Sequence, residues 1–152
     1  MPKINCVNKR KLKVYVIGSL KRKDLGAEVI EAVRKAGHTI TFDWVDENDE
    51  EQGASFDKLA RLTNKPITGA MEADICVLIM AEGMGGKGSF VDLGSALSHN
   101  KPVIVLEYDA ILNHFFVNNP LVMRVRSIDG TIMWLNLYAQ ALHAKRIPEH
   151  AQ

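Results

Sequence analysis

Apolar positions along the chain fall into short strand-like runs separated by stretches with helical spacing. Lys13–Ser19 (KVYVIGS) is rich in β-branched residues and closed by glycine, the pattern of a buried strand. From Asp24 to Lys35, Leu25, Val29, Ile30 and Val33 share one helical face, and Gly37 supplies the stop. His38–Trp44 (HTITFDW) reads as a second strand. Its Ile40 and Phe42 alternate with Thr39 and Thr41, so one of its faces is less buried. An acidic loop precedes a helical stretch over about 55–73 that carries Phe56, Leu59 and Leu62, and Pro66 is expected to break it in two. Asp74–Met80 (DICVLIM) is the most apolar run and predicts a central strand. A glycine loop and a helix over about 90–99 follow. Pro102–Tyr108 (PVIVLEY) predicts a fourth strand and Leu121–Ser127 (LVMRVRS) a fifth. A last helix spans about 130–143, with Ile132, Leu135, Tyr138 and Leu142.

Strands that alternate with helices predict a parallel sheet covered on both faces. Ligands of such sheets bind at the carboxyl ends of the strands, where strand order reverses. Three such ends stand out: Gly18-Ser19, Asp43-Trp44 and the loop from Ala81 to Ser89.

Composition narrows the class. The 152 residues are 47% apolar and 24% charged, which predicts one soluble domain over 1–152. Residues 1–11 read as a flexible basic leader. The net charge of +1 gives no overall pull towards nucleic acid or membrane surfaces. No apolar stretch reaches the roughly 18 residues of a membrane helix, and no signal-like segment is evident, so the cytoplasm is the default. Cys6 and Cys76 make neither a disulfide framework nor a metal knot. His38, His99, His114, His143 and His150 show no zinc-site spacing, so no metal is expected.

The glycine loop carries the candidate chemistry. Gly83–Gly88 (GMGGKG) has the G-x-G-x-x-G form between a strand and a helix. Glu107 follows where a ribose-binding acid would sit, which permits a dinucleotide (NAD) reading. The loop is no P-loop, because Lys87 precedes Gly88 and not Ser or Thr. Ser89-Phe90-Val91-Asp92 also has the form of a capping box, in which Asp92 would fold back to its own helix terminus.

The segment GSFVDLGSALSHNKPVIVL resembles the signature of the nucleoside 2-deoxyribosyltransferase family and its nucleotide N-glycosidase relatives. Gly88, Ser89, Leu93, Gly94, Ala96, Lys101, Pro102 and Val103 carry the likeness. VYVIGS resembles the family's first strand, with Tyr15 at its tyrosine position, and ADICVL resembles its third. NNPLV falls where the family carries an asparagine that reaches a neighbouring subunit's site. The resemblance implies a flavodoxin-like or Rossmann-like three-layer α/β sandwich with a parallel sheet of about five strands. It also implies Asp92 as the catalytic nucleophile, in place of the family's glutamate. Gly86 stands where the deoxyribosyltransferases have a second aspartate, and Pro66 aligns near a further one. Branches of the family that act on 5′-phosphorylated substrates place small or basic residues there, and Lys87 would suit a phosphate.

Cleavage of an N-glycosidic bond passes through an oxocarbenium-like state, and a carboxylate below the sugar can stabilise it or attack C1′. That carboxylate must be ionised and held still. A helix terminus is expected to lower its pKa, and Tyr15 is the candidate to orient it. The expected substrate is a nucleoside or nucleoside 5′-monophosphate, bound by Gly18, Ser19, Gly86, Lys87, Gly88 and Ser89. Asp43 and Trp44 are placed at the base, although Trp44 could equally pack a lid. Asn118 and Asn119 would be shared across a homodimer or larger homo-oligomer. No cofactor is implied. The rival reading is a nucleotide-binding or sensing domain without catalysis, favoured by Gly86 and Pro66.

Overall fold

The computed structural model describes residues 10–46, 56–83, 87–111, 113 and 115–145, with the side chains of 56–63, 87, 115 and 117 left out of the description. The predicted basic leader lies outside these residues except at its end, where Arg10 pairs with Asp74 at 3.4 Å.

Five parallel strands form one sheet in the order β2-β1-β3-β4-β5. They are β1 (Lys13–Ile17), β2 (Thr39–Ile40), β3 (Ile75–Met80), β4 (Val103–Glu107) and β5 (Val122–Val125). Four helices cover it: α1 (Lys23–Lys35), α2 (Phe56–Glu72), α3 (Lys87–Ser98) and α4 (Ile128–Ala144). The order reverses between β1 and β3, which is the flavodoxin-like arrangement, and this places a switch point between their carboxyl ends.

The central strands alternate between two cores. Val14, Val16, Ile75, Val77, Ile79, Ile104 and Leu106 face α1 and α4, which bring Leu25, Val29, Ile30, Val33, Leu135 and Ala139. Tyr15, Ile17, Cys76, Leu78, Val103 and Val105 face α2 and α3, which bring Ala70, Leu93 and Ala96. Every residue of β4 is buried, as is all of β3 except the half-buried Met80. Continuous apolar runs are what a parallel strand covered on both faces requires.

The structure corrects four sequence expectations. The second strand ends at Ile40, four residues before Trp44. Thr41 donates its hydroxyl to the Gly69 carbonyl (2.9 Å), and Asp43 accepts from the Val45 amide (3.1 Å). Local side-chain hydrogen bonds of this kind compete with a strand ladder. Secondly, α2 runs unbroken through Pro66. An interior proline costs a helix about 3 kcal/mol. Here the turn after it buries Gly69 and Ala70 against the sheet side of the helix. Thirdly, α3 begins at Lys87, three residues earlier than the apolar pattern indicated. At the last helix, Ser127 accepts from the Gly130 amide (3.0 Å), and this N-cap moves the start forward to Ile128.

Candidate active site

The earlier start of α3 decides what Asp92 does. Ser89 lies inside the first turn and is no N-cap, so the capping box does not form. Asp92 is the sixth residue of the helix, and the phenol of Tyr15 donates to its Oδ2 at 3.0 Å. Tyr15 occupies the middle of β1, on the face that packs against α2 and α3. Its ring lies against Gly69 of α2, where an added Cβ would come within 3.3 Å of Tyr15 Cδ2 and 3.1 Å of Phe42 Cβ. Glycine at 69 therefore makes room for the tyrosine.

Tyr15 engages one carboxylate oxygen. Among the described residues, Oδ1 has no hydrogen-bond partner, and no fully buried side-chain oxygen is left without one. Oδ1 is therefore not fully buried, and Asp92 as a whole is half-buried. Burial pushes the Asp92 carboxyl above its ordinary range, and the hydrogen bond from Tyr15 pulls part of the way back. The sequence expectation of a lowered pKa is thus reversed, because desolvation outweighs the Tyr15 hydrogen bond and Asp92 sits beyond the first turn of α3. Burial first, then the Asp92 charge, drives the Tyr15 phenol well above its normal value, so it stays a protonated donor. Beside the pair, Cys76 lies opposite Tyr15 in the sheet register, and burial pushes its thiol up to about 12.

Around this pair, Ser89 donates from Oγ to the Gly18 carbonyl at 3.5 Å, which ties the first turn of α3 to the exit of β1. Ser19 caps the short 3-10 turn Leu20–Arg22 by accepting from the Lys21 amide (3.3 Å). Gly88 has open space around the position of a Cβ. Gly86 lies outside the described residues, and Lys87 is described by its backbone alone.

Other sequence candidates are engaged elsewhere. Trp44 is 8% exposed, and its indole N–H donates to the Val16 carbonyl at 2.7 Å. Its ring covers Gly26 of α1, where a Cβ would come within 2.5 Å. Of the two readings open for Trp44, packing is the one its contacts match. Asp43 pairs with Arg34 at 2.8 Å. Asn119 accepts from the Leu121 amide (2.9 Å) in the turn that leads into β5, and Asn118 is exposed beside it. Both lie at the amino end of the sheet, away from Tyr15 and Asp92 within one chain. Glu107 is held by both arms of the Arg124 guanidinium (2.9 and 2.7 Å), so the acid of the dinucleotide reading is already engaged.

Sequence reasoning missed Asp109. Its Oδ1 accepts from the Glu82 amide at 2.6 Å, and its Oδ2 lies 3.7 Å from Arg22 Nη1. The available signal was an aspartate just past a strand end on the ligand-binding edge. Among the described residues, no cluster of three or more His, Cys, Asp or Glu could hold a metal. No described helix is long and apolar enough to cross a membrane.

No protein-family model and no curated protein matches the chain. Solved structures do. The chain is similar to the 2-deoxyribosyltransferase of Bacillus psychrosaccharolyticus, with a TM-score of 0.66 and 17% identity over 79% of this chain and 90% of that one. It is similar to BlsM, with a TM-score of 0.60 and 16% identity over 92% of this chain and 96% of that one. It is also similar to the CMP N-glycosidase BcmB of Clostridium botulinum, with a TM-score of 0.54 and 13% identity over 83% of this chain and 98% of that one. These likenesses support the resemblance seen in the signature around Asp92, and they show that this chain adopts the fold of a 2-deoxyribosyltransferase and a CMP N-glycosidase.

Proposed function

We propose that the protein cleaves or exchanges the N-glycosidic bond of a nucleoside or nucleoside 5′-monophosphate. The hydrogen bond from Tyr15 to Asp92 Oδ2 carries this reading. It holds a carboxylate by one oxygen, away from its own helix cap, with the other oxygen, not fully buried, beside the switch point. In the reaction, Oδ1 attacks C1′ as the bond to the base breaks, and the departing nitrogen takes a proton from solvent. Water then hydrolyses the glycosyl ester, or a second base displaces it. Tyr15 orients the nucleophile and stays protonated throughout.

Gly18, Ser19, Gly88 and Ser89 line the approach to the sugar. The start of α3 at Lys87, a helix N-terminus, suits a 5′-phosphate. Asn118 and Asn119 reach a site only in a homodimer or larger assembly that brings one chain's amino-edge loop to another chain's carboxyl edge.

A catalytically silent nucleotide-binding domain is the alternative. Gly86 and Pro66, which stand where the resemblance places family aspartates, favour it. Incubation with a panel of nucleosides and 5′-monophosphates, followed by chromatography for free base, separates the two. Base release that Asp92→Ala abolishes supports the enzyme. Saturable binding of a panel member without base release from any of them leaves the silent domain.

A further inference from the structure

The sheet order places β3 between β1 and β4, so groups beyond β1 and β4 can meet only across the exit of β3. Asp109 makes that crossing. It lies two residues past β4, and its backbone is anchored because Tyr108 donates its amide to the Met80 carbonyl (2.9 Å), one step beyond the β3–β4 register. The neighbouring Glu107 is fixed by Arg124. From this base, Oδ1 takes the Glu82 amide at the exit of β3. Oδ2 faces Arg22, whose own amide donates to the Ser19 carbonyl (2.9 Å) at the exit of β1.

We propose that Asp109 is a positioning residue, a strut that ties the exit of β3 at Glu82 to the end of β4 and so holds the β3 side of the switch point through which substrate reaches Asp92. The two contacts are unequal. The amide hydrogen bond is short and charge-assisted. The pair with Arg22 is at 3.7 Å with 42% of the Asp109 side chain exposed, the kind of surface ion pair that contributes little. The strut therefore acts mainly through Glu82. The inference rests on the N-glycosidic reading only for its effect on turnover, because the strut itself is measurable without substrate.

The experiment compares Asp109→Ala, Asp109→Asn and Arg22→Gln. Hydrogen exchange at the Glu82 amide is measured in each, together with KM and kcat for base release from dAMP, dGMP, dCMP and dTMP. Asparagine keeps an acceptor for Glu82, alanine does not, and Arg22→Gln removes only the ion pair. With loss of a hydrogen bond to a charged group, Asp109→Ala should speed exchange at Glu82 by about tenfold or more and raise KM by a similar factor, with kcat within about twofold. Asp109→Asn should restore most of both, and Arg22→Gln should change either by less than about threefold. Unchanged exchange in Asp109→Ala, or Asp109→Asn as damaged as alanine, overturns the strut. If Asp109→Ala does not fold, a larger effect of Arg22→Gln than of Asp109→Asn overturns it equally. If wild type releases no base from any of the four, the N-glycosidic reading on these nucleotides falls, and exchange at Glu82 alone decides the strut.

Discussion

The two faces of the sheet are built from the same strands and carry different chemistry. Towards α1 and α4, β1 turns Val14 and Val16 into a mainly apolar core, in which the buried polar groups His38 and Thr131 bond to the Leu12 amide, Asn136 and the Ser127 carbonyl. Towards α2 and α3, the same strand turns Tyr15 and Ile17. A phenol, a carboxylate and a thiol are gathered on this second face. The period-two alternation of a strand thus divides the labour between neighbouring residues. One face stabilises by burial. The other gives up part of that stabilisation by keeping a desolvated carboxylate in place.

Four substitutions test how cleanly the faces are divided. The largest effect should come from Asp92→Ala, which lowers base release by at least about a thousandfold while the protein stays folded, as judged by turnover assay and circular dichroism. Next is Leu135→Ala on the opposite face. This fully buried leucine should cost about 2–5 kcal/mol of stability in denaturant unfolding, with turnover per folded molecule unchanged. Loss of activity there without loss of stability would show that the faces are coupled.

Tyr15→Phe should reduce turnover by about tenfold to a hundredfold, the range for a hydrogen bond to a charged partner. It should also move the acidic limb of the pH–rate profile upward, because the phenol now lowers the Asp92 pKa. A limb that stays in place would remove Tyr15 from the ionisation of Asp92. The smallest effect concerns stability and pH. Asp92 binds its proton more tightly folded than unfolded, so its contribution is fully present below the unfolded pKa and is lost as pH rises through the folded one. Asp92→Asn should therefore melt slightly higher than wild type at neutral pH, and that gain should vanish on acidification.

Much of the first face was legible in the sequence. The runs VYVI, ICVLIM and VIVLE became β1, β3 and β4 because strands buried on both sides need unbroken apolar residues. At the sheet edge the pattern misled. Thr39 joins the ladder opposite Lys13, but Thr41 turns its hydroxyl to the Gly69 carbonyl, and the second strand stops at Ile40. Pro66 looked like a break, and tertiary packing carried α2 through it.

The second face was legible only through resemblance, since nothing local in VYVIGS or SFVDLG reveals that Tyr15 and Asp92 meet 77 positions apart. The direction of the Asp92 pKa was misjudged for a related reason. Position in a helix can be read from sequence, whereas the desolvation imposed by neighbouring elements cannot. Asp109 escaped notice because both of its partners are distant in the chain and neither has a motif.

Cys76 turns the second face into its own reporter. Its thiol sits beside Tyr15 on the neighbouring strand, buried and resistant to ionisation, so it is shielded from alkylating reagents while α2 and α3 stay seated on the sheet. Any modification of Cys76, resolved from Cys6 by peptide mass, would count moments when that layer lifts away. The labelling rate in the presence and absence of a nucleotide would then read how firmly a ligand keeps the layer shut, with no cysteine introduced into the protein.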